Sequence, residues 1–141
     1  RSLAEISHYA KVDNRQYRLL KMSTPGCYTF IFQATREVPR RLQPPRRNTI
    51  GVRIPDHPVA QALLAELNEP LLSSTLIMPG EELPLNDPWE IRARLEHQVE
   101  LVLDGGACGL EMSTVIDMTG DTPEVIREGK GSLQPFGISN G

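Results

Sequence analysis

The sequence predicts an α/β layered domain, and three observations carry that expectation. Stretches of strand and helical character follow one another in the order β, α, β, α, β with short linkers. Pairs with capping-box spacing, Asp13 with Gln16 and Asp87 with Glu90, stand where helices should begin. The chain has 141 residues, 39% of them hydrophobic and 23% charged, which suits one globular domain with a real core.

Residues 1–11 are mixed and carry no clear period. The Asp13 box predicts a helix over 14–22, which Pro25 and Gly26 end. Aromatic and branched residues then predict a strand over 28–33, with the hydroxyl of Thr29 near its entrance. Residues 36–53, REVPRRLQPPRRNTIGVR, hold six arginines against one acid, Glu37, and their prolines predict loop or short helical turn. A second strand is predicted over 49–54. Asp56 is then expected to cap a helix whose stripe is Val59, Ala62, Leu63 and Leu67.

Residues 69–80 read as a third strand with three consecutive hydroxyls, Ser73, Ser74 and Thr75. In DPWE, Asp87 caps, Pro88 takes the first helical position and Glu90 completes a box, with Ile91, Leu95 and Val99 as the buried stripe. A strand is expected to end at Leu103. A glycine-rich turn leads to strands over 113–118 and 122–127, and residues 137–141 read as a polar tail. The domain is expected to span 1–136.

Several function classes are excluded or disfavoured. A net charge of -3 argues against a generic polyanion binder. Cys27 and Cys108 lie far apart without metal or redox spacing and read as reduced thiols of a cytoplasmic protein. No apolar run approaches the roughly 18 residues of a membrane span. Neither GxxxxGK[ST] nor a GxGxxG between strand and helix occurs. His8, His57 and His97 have no partners at metal-ligand or triad spacing, and Ser113 lacks a GxSxG elbow.

What remains is a set of polar groups at strand ends, where open α/β sheets bind ligands. Gly105, Gly106 and Gly109 either expose N–H groups to an anion or form a plain turn. The arginine run is either a solvated face or a cationic patch for phosphates. Arg53, in a predicted strand, and Arg127, at a strand end, each require a partner or a ligand for a fixed charge. Hydroxyls, glycines and two arginines at one edge suit phosphate or carboxylate binding.

Five ordered motifs, PGCYTFIFQATREVPRRL, TIGVRIPDHPVAQALL, EPLLSSTLIMPG, LDGGACGLEMSTVID and IREGKG, resemble the YrdC/YciO family, in particular its YciO-like branch, over residues 13–136. The resemblance implies a twisted open mixed sheet with flanking helices and a concave, positively charged surface, here N-terminally truncated. It implies threonylcarbamoyl-AMP synthase activity in the intact parent: L-threonine, bicarbonate and ATP yield threonylcarbamoyl-AMP and pyrophosphate, for tRNA modification. It implies Mg²⁺ held chiefly by phosphate oxygens. The alternative it implies is a binder of double-stranded RNA or tRNA without synthase activity, for which Arg40, Arg41, Arg46 and Arg47 are the candidate contacts.

Carried over by resemblance, the nucleotide- and substrate-binding residues are Thr29, Arg53, Ser74, Thr75, Ser113, Thr114 and Arg127; no catalytic residue or protein metal ligand is assigned. Ile77 stands where synthases carry an asparagine, Pro79 where they carry a serine, and Cys27 where the family usually has proline. The family's Y-P-T and K-x-R segments do not occur in these 141 residues. The piece alone is therefore expected to be inactive.

Overall fold

The computed structural model describes residues 3–43 and 46–137. The predicted tail over 137–141 lies outside them apart from Gly137. The chain forms two compact units, Arg1–Pro70 with Met112–Gly141, and Leu71–Glu111.

In the first unit, helix α1 (Leu3–Tyr9) occupies the stretch whose sequence showed no period. It is held from outside rather than by its own pattern. Ile6 is buried in the core, and Thr35 donates through its N–H to Tyr9 O at 2.9 Å and through Oγ1 to His8 O at 2.6 Å. Helix α2 (Asn14–Ser23) starts on the predicted box: Gln16 N–H donates to Asp13 Oδ1 at 2.8 Å, and Asp13 N–H to Gln16 Oε1 at 3.0 Å. Two of the otherwise unpaired donors of the helix start are thus satisfied.

Strand β1 (Tyr28–Gln33) follows, then a 3-10 turn (Arg40–Leu42), strand β2 (Thr49–Val52) and helix α3 (Pro58–Leu67). After the second unit come β3 (Thr114–Asp117), β4 (Glu124–Arg127) and a 3-10 turn (Gln134–Phe136). The strand order is β2-β1-β3-β4; β1 runs parallel to β3, and the two outer pairings are antiparallel. The expected α/β class with a mixed open sheet is what forms.

Side-chain alternation divides this sheet. Tyr28, Phe30 and Phe32 face the core with Thr114 and Ile116; Phe32, Thr114 and Ile116 are all 0% exposed. The rings of Tyr28, Phe30 and Phe136 pack with centroids 5.4 to 5.7 Å apart, and Leu20 of α2 is wholly buried in the same cluster. Removing one such ring costs about 3–5 kcal/mol.

Several expected details differ. β2 ends at Val52, so Arg53 lies beyond the strand and is exposed. His57, not Asp56, caps α3: its Nδ1 accepts the Val59 N–H at 3.1 Å. Leu64 is the buried residue of α3, whereas Ala62 and Leu67 are exposed, so the stripe is rotated by about one residue. Strands β3 and β4 are shorter than the predicted 113–118 and 122–127.

The second unit contains helix α4 (Pro88–Leu95) and no strand among its described residues. Residues 69–80 and 99–103 do not form the expected strands; apolar residues alone do not make a strand without a ladder partner. Asp87 caps α4 as expected, accepting from Trp89 N–H at 3.0 Å. Glu90 does not complete the box and instead lies 3.7 Å from Arg94, which also pairs with Glu81 at 2.9 Å. Val99 lies past the helix and is exposed. Among the described residues, no helix is long and apolar enough to cross a membrane.

Two expected outcomes follow from the packing of the first unit. A Cβ on Gly131 would lie 2.6 Å from Tyr28 Cε1, and one on Gly129 within 2.6 Å of the Ser113 carbonyl carbon and oxygen. Gly131→Ala and Gly129→Ala should each destabilise by about 1–3 kcal/mol in denaturant unfolding, with Gly129→Ala the worse because backbone yields less than a ring. Gly109→Ala, with nothing within 4 Å of its Cβ, is the control and should change stability little. Burial, then the charge of neighbouring Cys27, raises the Tyr28 phenol above its ordinary 10.0. A phenol that holds its proton more tightly when folded contributes stability that is complete below the unfolded value and lost as pH rises through the folded one. Unfolding midpoints taken from about pH 9 to about pH 12 should therefore fall more steeply for the natural chain than for Tyr28→Phe.

Candidate functional site

β1 and β3 are parallel and begin at the same end of the sheet, where Tyr28 pairs with Thr114. β4 is antiparallel to β3, so its last residue, Arg127, returns to that end opposite Val115. Alternation sends Tyr28 and Thr114 to the core face and Thr29 to the other. Ser113, one residue before Thr114, shares the side of Thr29. Three predicted site residues, Thr29, Ser113 and Arg127, thereby meet on the face turned away from the core.

Their geometry is close. Thr29 Oγ1 and Ser113 Oγ are 2.7 Å apart. Arg127 donates to Ser113 O through Nε at 3.0 Å and Nη2 at 2.9 Å, and Nη2 also reaches Ser113 Oγ at 3.2 Å. The partner required by a strand-end arginine is thus a backbone carbonyl, and among the described residues no carboxylate pairs with it. A guanidinium only donates, so Ser113 Oγ accepts from it. The two hydroxyls share one hydrogen bond, which leaves one of their two hydrogens unengaged. Nη1 of Arg127 has no acceptor among the described residues. The cluster therefore offers a hydroxyl donor and a fixed positive charge, the complement of a carboxylate or phosphate oxygen. Asp117, on the same face, does not oppose this charge directly; its Oδ1 accepts from Thr119 N–H at 2.8 Å and Thr119 Oγ1 at 2.6 Å.

Thr114 is placed differently from its neighbour. Its hydroxyl lies on the core side, donates to Gly131 O at 2.7 Å and accepts from Gly129 N–H at 3.0 Å. Arg53 is exposed, just past β2. Ser74 and Thr75 are exposed in the second unit, where Ser74 Oγ donates to Thr75 O at 3.4 Å. Gly106, one of the glycines weighed as an anion cradle, has φ +85 and donates its N–H to Asp104 Oδ1 at 2.9 Å, the bonding of a plain turn. Gly129 and Gly131 stood in the sequence only as part of the IREGKG motif, and Tyr28 only as part of the predicted strand. The adjacent Ser113 and Thr114 carried the available signal, since neighbours on a strand cannot face the same side.

The arginine run is open to water. Arg40 and Arg41 lie on the 3-10 turn, Arg46 has φ 63, and these three and Arg47 are exposed. None of the four forms an ion pair with a carboxylate among the described residues. Glu37, the one acid of the run, sits 3.7 Å from His8 Nε2.

Comparison with known proteins gives the family. The family model described as "Telomere recombination" (Sua5/YciO/YrdC) matches residues 1–129. The uncharacterized protein YciO of Escherichia coli (strain K12) is 54% identical over 136 residues, covering 96% of this chain and 66% of that protein. This chain thus spans just under two thirds of that relative's length. The crystal structure of E. coli YciO superposes with a TM-score of 0.90 over the same shares. The threonylcarbamoyl-AMP synthase of Schizosaccharomyces pombe is 31% identical over 127 residues, 87% of this chain and 31% of that protein. The structure of P. abyssi Sua5 complexed with L-threonine matches at 25% identity and TM-score 0.81, covering 91% of this chain and 38% of that one. The family match, the shared fold and the ordered motifs agree: the chain belongs to the Sua5/YciO/YrdC family.

Proposed function

We propose that this chain supplies an oxyanion-recognising face of a threonylcarbamoyl-AMP synthase-like protein. The observation that carries the reading is the Thr29–Ser113–Arg127 cluster, with its unengaged hydroxyl hydrogen and its uncompensated guanidinium. Such a face suits the carboxylate of L-threonine or a phosphate of ATP, and a fixed donor set needs no reorganisation as charge develops. The L-threonine complex of P. abyssi Sua5 supports the amino-acid choice. In the intact protein, the amine of threonine would add to bicarbonate with loss of water to give the carbamate, and a carbamate oxygen would bond to the α-phosphorus of ATP as the bond to pyrophosphate breaks. Among the described residues no three His, Cys, Asp or Glu side chains cluster to cage a metal. By the family resemblance, Mg²⁺ would be carried chiefly by triphosphate oxygens, where it would supply charge neutralisation. Ser74, Thr75 and Arg53 are proposed as further nucleotide contacts, from the family's motifs. Thr114, assigned to the ligand by the same motifs, has its hydroxyl engaged with Gly129 and Gly131, which favours a supporting rather than a contacting role.

A second reading is favoured by one observation, the four exposed arginines without carboxylate partners among the described residues. We infer that they form a phosphate-binding patch for structured RNA or tRNA. Such binding can accompany synthase activity or stand without it.

The first reading is checked by pyrophosphate release in the intact protein, which should require both threonine and bicarbonate. Arg127→Ala or Ser113→Ala should lower kcat/KM for threonine by about 10- to 100-fold, the worth of a charge-assisted hydrogen bond. Activity independent of threonine, or unchanged in both variants, would refute it. The 141-residue piece alone should show no threonine-dependent turnover. For the RNA reading, the affinity for a duplex RNA should fall steeply with salt. Replacing Arg40, Arg41, Arg46 and Arg47 with Gln should reduce the log–log slope by about one for each phosphate that is no longer neutralised. A slope unaffected by all four changes would remove the patch from the interface.

A further inference from the structure

Residues 128–132 follow β4 directly, and nearly every one of them is fastened to the start of β1 or β3. Gly129 N–H donates to Thr114 Oγ1 at 3.0 Å, and Lys130 N–H to Met112 O at 2.9 Å. Gly131 O accepts from Thr114 Oγ1 at 2.7 Å, and Ser132 O accepts from the Tyr28 hydroxyl at 2.6 Å. The Tyr28 ring also lies against Gly131, where no Cβ fits. Tyr28 and Thr114 are paired across β1 and β3, so the two hydroxyls act from adjacent positions of one ladder. Both are buried on the core face. A ligand on the opposite face of the sheet is out of their reach.

This fastening starts two residues after the strand position that carries the site's arginine. Arg127 and Gly129 both bond to residues 113–114, the first through its fork on the Ser113 backbone carbonyl, the second through its N–H on the Thr114 side-chain Oγ1. The fork needs two donors aligned on one carbonyl, and this demands that the backbone at 127 be held in place. We propose that Thr114 and Tyr28 are positioning residues: they clasp 128–132 to the sheet and thereby hold the Arg127 fork on Ser113. In the Ser113-Thr114 pair the first hydroxyl faces the ligand side and the second sets the arginine that serves it. The proposal rests on the oxyanion reading for its effect on binding, but the clasp itself is observable without any ligand.

The test uses the intact protein carrying Thr114→Val, which keeps the shape and removes both hydrogen bonds, with Tyr28→Phe and Thr114→Ser alongside. Three quantities are read: the Arg127 Nε–H resonance and its hydrogen exchange, the exchange of the Gly129, Lys130, Phe30 and Phe32 amides, and the affinity for L-threonine. Thr114→Val should speed exchange at Arg127 Nε–H, Gly129 and Lys130 by about ten-fold or more, with Phe30 and Phe32 little changed. L-threonine should bind about ten-fold more weakly, the equivalent of one misplaced hydrogen bond, and Thr114→Ser should restore both readouts. If Thr114→Val does not fold, Tyr28→Phe carries the same comparison, since it removes one hydroxyl and leaves the ring on Gly131. An Arg127 Nε–H that stays protected in the folded variants overturns the proposal, whether or not threonine binds. Failure of the unaltered protein to bind L-threonine would count against the ligand reading alone, because loss of the Arg127 signal in the variants would still establish the clasp.

Discussion

The parallel pairing of β1 with β3 is the contact on which the first unit depends. With Tyr28 opposite Thr114 and Phe30 opposite Ile116, it places the aromatic ladder of β1 and the apolar residues of β3 on one face. α2 and the turn at Gln134–Phe136 close over that face through Leu20 and Phe136. The same register puts Thr29 and Ser113 together on the other face. A slip of one residue would exchange the faces, burying the site hydroxyls and exposing the rings. Core and site are therefore two consequences of one register. Neither can be altered without the other.

Close approach is the second constraint. The segment after β4 passes so near the starts of β1 and β3 that side chains are excluded at Gly129 and Gly131. Backbone groups there take the place of side chains as hydrogen-bond partners. Tyr28 and Thr114 each present a hydroxyl to this segment, and both hydroxyls are satisfied within the fold. An unsatisfied hydroxyl at either buried position would carry its full desolvation cost. Satisfying them also orders the backbone beside Arg127, so a structural requirement and a functional one share the same bonds.

Charge is distributed in a way that the total conceals. The chain has a net charge of -3, yet Arg40, Arg41, Arg46 and Arg47 stand exposed without acidic partners among the described residues. Arg127 is likewise neutralised by no carboxylate and is held by a carbonyl. Local fields of this kind decide what a face attracts over distances within the roughly 8–10 Å reach of electrostatics in physiological salt.

Features that depend on neighbours along the chain are legible in the residues alone. The box of Asp13 and Gln16 started α2, the Pro25-Gly26 pair ended it, and the alternation over 28–33 was legible as β1 with its buried face. Ordered motifs identified the family and named Thr29, Ser113 and Arg127. Features that depend on distant partners emerge only once the chain is packed. Apolar residues over 69–80 and 99–103 read as strands but form none, because a strand needs a second backbone to pair with. α1 had no readable period, since bonds from Thr35 and packing of Ile6 hold it. The residues that fasten 128–132 come from 28 and 114, positions separated from it by 104 and 17 residues in the bonds they make. No local pattern records such a bond, and the opposite roles of Ser113 and Thr114 became visible only when the sheet gave each a face.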